Sequence, residues 1–377
     1  MKKTWKGMLA TALLLLITAC AAPPKKKELN VFFPPAPELP RVQYLASFAG
    51  LKDIEEQSSF NKFVVGEKQN RRLDKPYGVG IYDGKIYVCD TNDSVIVFDL
   101  KAKTYGAMSG AAGQGKLVEP LNISIEPDGT KYVTDPGRGQ VVVFDARDQY
   151  VRAYGIPGNW KPVDSVTFAD RLYVVDNQNG VVKVFDKVSG AEVKAIGNTG
   201  TDRLNRPTNI AFDSAGMMYI TDFSRFQVVK YDRDGHFLGT VGSLGDSVSH
   251  FARPKGLATD REGRLYVVDA AFNNVQMFNK DGRLLLNFGQ GGEGPGDFLL
   301  PAKVTVDYDN VPYFQKYAGS DFQIEYLILV VNQFGDQGVS VLGFGKQRGK
   351  KYPNDDELLK QIEQKKRQEL QQQQKQP

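Results

Sequence analysis

Two residues beyond each of six spaced prolines (Pro76, Pro120, Pro162, Pro207, Pro254 and Pro301) stand Gly78, Asn122, Asp164, Asn209, Gly256 and Lys303. Three of these in succession, Asn122, Asp164 and Asn209, carry side-chain oxygens. Such hard donors could hold a divalent cation, with water completing its shell. Lys303 offers the opposite chemistry, an ammonium that could meet an anion. The plainer alternative is that the six positions are simply wet and polar. Histidine chemistry has little to work with: the chain has only His236 and His250, both in turn-like contexts, and catalytic zinc commonly takes three protein ligands. Both histidines are therefore expected at the surface. Asp90, Asp135, Asp176, Asp222 and Asp269 suggest a row of carboxylates, yet each follows a tyrosine-centred run at the same point. A carboxylate so placed can accept backbone N–H bonds as in an Asx-turn, so a structural role is expected. No Gly-x-Ser-x-Gly or phosphate-binding loop is present. The glycine-rich run 289–296 leads into no helix and reads as a flexible loop.

The elements that must position these residues repeat. The prolines recur at intervals of 42 to 47 residues. After each comes a short alternating run, then a strand such as Ile86–Asp90, Lys131–Asp135, Leu172–Asp176, Met218–Asp222 or Leu265–Asp269. A third strand closes on an aromatic residue (Val95–Asp99, Val141–Asp145, Val181–Asp186, Val228–Asp232), and a fourth ends at Gly155, Gly197, Gly242 or Gly289. Hairpin signals such as Asp128-Gly129 and Asp281-Gly282 lie between them. Four antiparallel strands at this period make one blade of a propeller. The sixth unit is degenerate, with Lys316 at the place of Asp269 and extra residues from Ala318 to Tyr326. Proline suits the strand entrance, where its missing N–H breaks no ladder bond. Ring closure requires a tie between first and last blades. The segment 41–50 is expected to pair into the last blade; Gly338–Gly345 is a rival for the same slot, and an arrangement with both side by side is the other alternative.

Over residues 70 to 345 this pattern resembles NHL repeats, which implies an all-β, six-bladed β-propeller of four-stranded antiparallel blades. The NHL family serves as interaction platforms, so the resemblance implies a binding or scaffold role through the loops and channel mouth. The loops singled out are Gly110–Leu117, Asn198–Leu204, Ser243–Phe251 and Ala318–Tyr326. Related six-bladed propellers include gluconolactonase-like hydrolases and peptide-amidating lyases. The lactonases use Glu, Asn and Asp around one divalent ion. Asn122 and Asp164 fall near suitable strand starts, but alignment on Pro127-Asp128-Gly129 displaces the asparagine by one residue, which in a strand reverses its face. No Glu partner is found, so the carry-over fails at two of three positions. The alternative function is thus a metal-dependent lactonase-like hydrolase or lyase in the central channel.

The front of the chain carries different chemistry. Lys2, Lys3 and Lys6 precede Ala10–Ile17, an apolar run too short to span a bilayer, as in a secretion signal. Ile17-Thr18-Ala19-Cys20 resembles a lipobox, which implies removal of residues 1–19 and lipid attachment at Cys20, the membrane being reached through that lipid. By resemblance to the sorting rule of enteric bacteria, Ala21 points to the outer rather than the inner membrane of a bacterial envelope. Residues 20–40 are the lipidated cysteine and a proline-rich tether, 41–348 the propeller, and 349–377 a charged, glutamine-rich tail, helical or disordered. The formal charge of +4 falls to +1 without the three signal-segment lysines, which gives no reason to expect nucleic acid. An envelope protein or polysaccharide is the expected partner. Cys89, left without a partner, reads as a small buried hydrophobe. No cofactor is expected beyond the lipid and a possible divalent cation.

Overall fold

In the computed structural model, residues 30–54, 71–92, 94–200 and 203–373 are described. The export segment, Cys20 and the Pro23–Lys27 part of the tether lie outside them. Six antiparallel sheets follow one another along the chain. Their innermost strands are Pro76–Tyr82, Asn122–Ile125, Pro162–Phe168, Pro207–Phe212, Pro254–Thr259 and Pro301–Asp307, in blades 1 to 6. Each innermost strand contacts that of the next blade, and Pro301–Asp307 contacts Pro76–Tyr82, so the ring closes. Across that seam Thr305 Oγ1 donates to the Val79 carbonyl at 2.9 Å, and the Gly84 N–H donates to Asn310 Oδ1 at 2.8 Å.

Why these residues form blades follows from burial. An inner strand is covered on both faces by neighbouring sheets, so it reads as a continuous apolar run rather than an alternating one. Val141, Val142 and Val143 are all buried on the third strand of blade 2. By contrast Glu192, Val193 and Lys194, on the outermost strand of blade 3, are exposed. In blades 1 to 5 the tyrosine of the second strand packs into the next blade, as Tyr87 against Ile123 and Val133, Tyr219 against Leu257 and Leu265, and Tyr266 against Val304 and Tyr326. Their hydroxyls need partners when buried. Tyr219 and Tyr266 find them in Asp213 at 3.1 Å and Asp260 at 3.2 Å. The fourth-strand glycines lie at positive φ, and a Cβ on Gly155, Gly242 or Gly289 would stand 2.1 to 2.2 Å from Trp160, Phe251 or Phe298. Only glycine lets the linker side chain seat there.

Blade 6 holds the clasp. Val42–Phe48 pairs antiparallel with Val339–Gln347, Val42 opposite Phe344 and Phe48 opposite Val339. The supposed rivals therefore lie side by side, Val339–Gln347 third and Val42–Phe48 fourth, with Phe32–Phe33 as a fifth strand outside them. The assignment of Lys316 to the Asp269 position is corrected. The second strand of blade 6 is Phe322–Asn332 and pairs Asn332 with Pro301, as Asp269 pairs with Pro254. The insertion that displaced the alignment is a short helical segment, Val311–Phe314 and Gln315–Tyr317. The C-terminal helix, Asp355–Gln373, lies against blade 5. Leu359 is buried there with Phe288 and Phe344, and Arg264 Nη2 meets Asp355 Oδ1 at 3.0 Å. Among the described residues no helix is long and apolar enough to cross a membrane.

Candidate functional site at the channel mouth

Five innermost strands begin at a proline and that of blade 2 two residues after Pro120, and each entrance is fastened from the side. Asp135 accepts from the N–H groups of Val118 and Glu119 at 2.6 and 2.9 Å. Asp222 does the same for Asn205 and Arg206 at 2.8 and 3.0 Å, Asp269 for Ala252 and Arg253 at 2.8 and 3.1 Å, and Asp90 for Asp74 and Lys75 at 2.6 and 3.0 Å. Asp176 holds Lys161 at 3.0 Å and its own turn through Gln178 and Asn179 at 3.2 Å. Asn332 holds Leu299 at 3.1 Å. These acids orient strand entrances and their oxygens are occupied by backbone donors.

Just beyond the proline the ladder slips in blades 1, 3, 4, 5 and 6. Such a bulge sets extra residues opposite one partner and re-aims side chains. Three of the six predicted positions, Asp164, Asn209 and Lys303, meet on the axis. Lys303 Nζ lies 2.6 Å from Asp164 Oδ2, blade 6 against blade 3. Asn209 Nδ2 donates to the same oxygen at 3.0 Å and the Ile210 N–H at 3.2 Å, while the Ser165 N–H donates to Asp164 Oδ1 at 3.0 Å. Asn122 turns its Nδ2 to the Val163 carbonyl at 2.7 Å. The side-chain oxygens of Asn122 and Asn209 are buried without a partner. Gly78 and Gly256 provide space instead of chemistry: a Cβ on either would stand 2.6 Å from Asn122 Cα or 2.5 Å from Lys303 Cα. Glycine at these two places lets neighbouring innermost strands close on one another.

Asp164 and Lys303 are 1% and 7% exposed, so the pair is desolvated, and its strength depends on the bonds that fill the remaining lone pairs. For a divalent cation the layer supplies one carboxylate, already neutralised, and two free amide oxygens. Ca2+ takes six to eight oxygens, and among the described residues no three of His, Cys, Asp or Glu come together. The donor set suits the ammonium it contains better than a divalent ion.

Sequence reading missed the residues above this layer. Lys255 and Tyr77, each one residue after its proline, belong to blades 5 and 1, yet Lys255 Nζ lies 5.5 Å from the Tyr77 ring. Lys255 also donates to Gln333 Oε1 at 2.5 Å. Burial, reinforced by Arg253, pushes the Lys255 ammonium down to about 8. Burial and the Asp164 carboxylate push the Tyr77 phenol up to about 12. The signal was the residue between the proline and the position chosen, which strict strand alternation sends away from the axis. Below the ion pair the channel widens into a well of about 250 Å³, walled by Ile125, Val166, Phe212 and Val306 with Asp307 among its lining residues. Burial raises the Asp307 carboxyl above its ordinary value.

The other sequence candidates fall elsewhere. Cys89 is buried with Tyr87, Val95 and Ile123, and burial drives its thiol well up. His236, exposed, pairs with Asp232 at 2.8 Å, and His250 meets Ser247 at 3.2 Å. Of the four predicted recognition loops, three precede innermost strands on the upper face, where those strands begin. The fourth, Ala318–Tyr326, is on the lower side and runs into the Phe322–Asn332 strand.

The family model DUF5128, described as a 6-bladed beta-propeller, matches residues 253–314, the span of blade 5 and the first strand of blade 6. A protein of unknown function from Bacteroides thetaiotaomicron VPI-5482 superposes with a TM-score of 0.56 at 14% identity, over 80% of this chain and 75% of that one. An auxiliary nutrient binding protein from the same organism gives 0.56 at 10% identity, over 81% and 77%. A gluconolactonase from Xanthomonas campestris gives 0.53 at 13%, over 83% and 97%. At these identities the likeness is one of fold. In architecture the chain is a six-bladed β-propeller of antiparallel blades.

Proposed function

We propose that this chain is a lipid-anchored binding module of a bacterial envelope, which recognises an envelope protein or polysaccharide with the loops of its upper face. One observation carries the reading: that face combines a channel closed by the Asp164–Lys303 pair with apolar side chains left in solvent on its loops. Ile156 and Phe334 are 86% and 65% exposed, and Val118, Leu244 and Val248 are exposed beside other strand entrances. We take these loop side chains as the partner's contact points, since rigid scaffolds place specificity in such loops. A fold shared with a nutrient binding protein is consistent with this role, though fold alone does not assign it.

Photocrosslinking residues placed at Ile156, Leu244 and Phe334 in intact cells should trap one discrete partner, and the same residue at Val188, on the lower-side hairpin, should not. Equal trapping from both positions would remove the upper face as the recognition surface. The unpartnered oxygens of Asn122 and Asn209 favour one rival, a metal-dependent hydrolase or lyase. Stoichiometric Ca, Mn or Zn in the purified protein, lost in Asp164→Ala, would decide for it.

A further inference from the structure

Lys255 is an unusual charge. It is 7% exposed, yet among the described residues it has no carboxylate partner. Its ammonium has three donor hydrogens, one directed to Gln333 Oε1, and it stands near the face of Tyr77. Other charges do not compensate it. The Asp164 carboxylate beneath is taken by Lys303. Arg253, on the same strand entrance, is a second cation and is exposed, its backbone held by Asp269. The Lys255 carbonyl is fixed by Thr221 Oγ1 at 2.8 Å, so the backbone beneath the ammonium is held in place. A buried ammonium without a counter-charge carries a desolvation cost that an anion would offset.

We propose that the upper mouth of the channel is a binding site for a small monocarboxylate, seated on the Lys255 ammonium with the Gln333 amide N–H and the Tyr77 hydroxyl as further donors. Neither of those two groups has a hydrogen-bond partner among the described residues. Tyr77 remains a donor at neutral pH because its phenol titrates far above it. Charge selects a monoanion: one uncompensated, shielded ammonium matches one negative charge. The second charge of a phosphate would face the Asp164 carboxylate beneath, and the Arg253 guanidinium, the other cation at this entrance, is exposed and screened by solvent. The site concerns a small ligand and stands whether or not a macromolecule docks on the surrounding loops.

Ligand-observed NMR on the detergent-solubilised full chain tests this, with acetate and inorganic phosphate as probes. Acetate should titrate saturably near pH 7 and weaken about thirtyfold by about pH 9.5, as an ammonium titrating near 8 loses its proton. Lys255→Met should abolish binding. Gln333→Ala should weaken it about tenfold, with a cooperative melting curve recorded in parallel to show that the variant is folded. Absence of saturable acetate binding, binding that survives Lys255→Met, or tighter binding of phosphate than of acetate would each overturn the proposal.

Discussion

Asp164 and Lys303 meet across the axis from 139 residues apart, each buried and each the other's counter-charge. Removing one partner leaves an uncompensated charge in the interior, at a cost of about 3–5 kcal/mol, whereas replacing both with apolar groups is often close to neutral. Urea denaturation should therefore find Asp164→Ala and Lys303→Met each strongly destabilised, and the double variant Asp164→Leu, Lys303→Met close to the parent. Additive losses would mean that the pair is not coupled. Lys255 gives a pH-dependent signature. Its folded pKa of about 8 lies below the ordinary 10.5, so between those values the unfolded chain binds more protons and stability rises with pH. The penalty is fully present below about pH 8 and relieved by about pH 10.5, amounting to about 3 kcal/mol. The stability of the parent relative to Lys255→Met should climb across that window. A flat difference would place the ammonium in water.

At the scale of elements, the ring depends on an N-terminal strand that completes the last blade. Val42, Leu45 and Phe48 are buried in it, and without them the Val339–Gln347 edge is open and the seam is unsupported. Deleting residues 41–50 should lower the melting temperature sharply, and an unchanged melt would refute the clasp. Deleting the 355–373 helix should cost much less. Leu359 is the one fully buried side chain among the described residues of the helix, worth about 2 kcal/mol by area, and its ion pairs, Arg264–Asp355, Arg283–Glu363 and Lys365–Glu38, are partly solvated and of small net value. How legible each blade was depended on the same hydrogen bonds. Asp90, Asp135, Asp176, Asp222 and Asp269 recur because each blade must fasten its own strand entrance, so the structural role read from their spacing is the observed one. Blade 6 performs that task with Asn332, and an insertion of helical residues moved it out of register with the pattern.

At the scale of the molecule, the disc has two unlike faces and one proposed attachment. Cys20 lies outside the described residues, so its lipidation is tested chemically. Cells grown with an alkyne analogue of palmitate should label the parent chain and not Cys20→Ser, which should move from the membrane to the soluble fraction. Acyl chains contribute about 0.8 kcal/mol per buried methylene, and retention of the variant at the membrane would mean that the protein is held by its partner instead.

Although it left the closing strand open between two segments and misplaced the second strand of blade 6, the chain by itself determined the number of blades, most strands of the first five and their aspartate fastenings. These rest on local hydrogen bonds and on burial patterns that every unit must repeat, and repetition is visible in one dimension. Tertiary structure alone decided that Lys303 neutralises Asp164, that Gly78 and Gly256 let adjacent innermost strands close on one another, and that Lys255 and Tyr77 share the mouth. Those contacts occur once, between unlike positions on different blades. They depend on side-chain length and on a bulge that re-aims the first residues of each strand, which spacing along the chain does not encode.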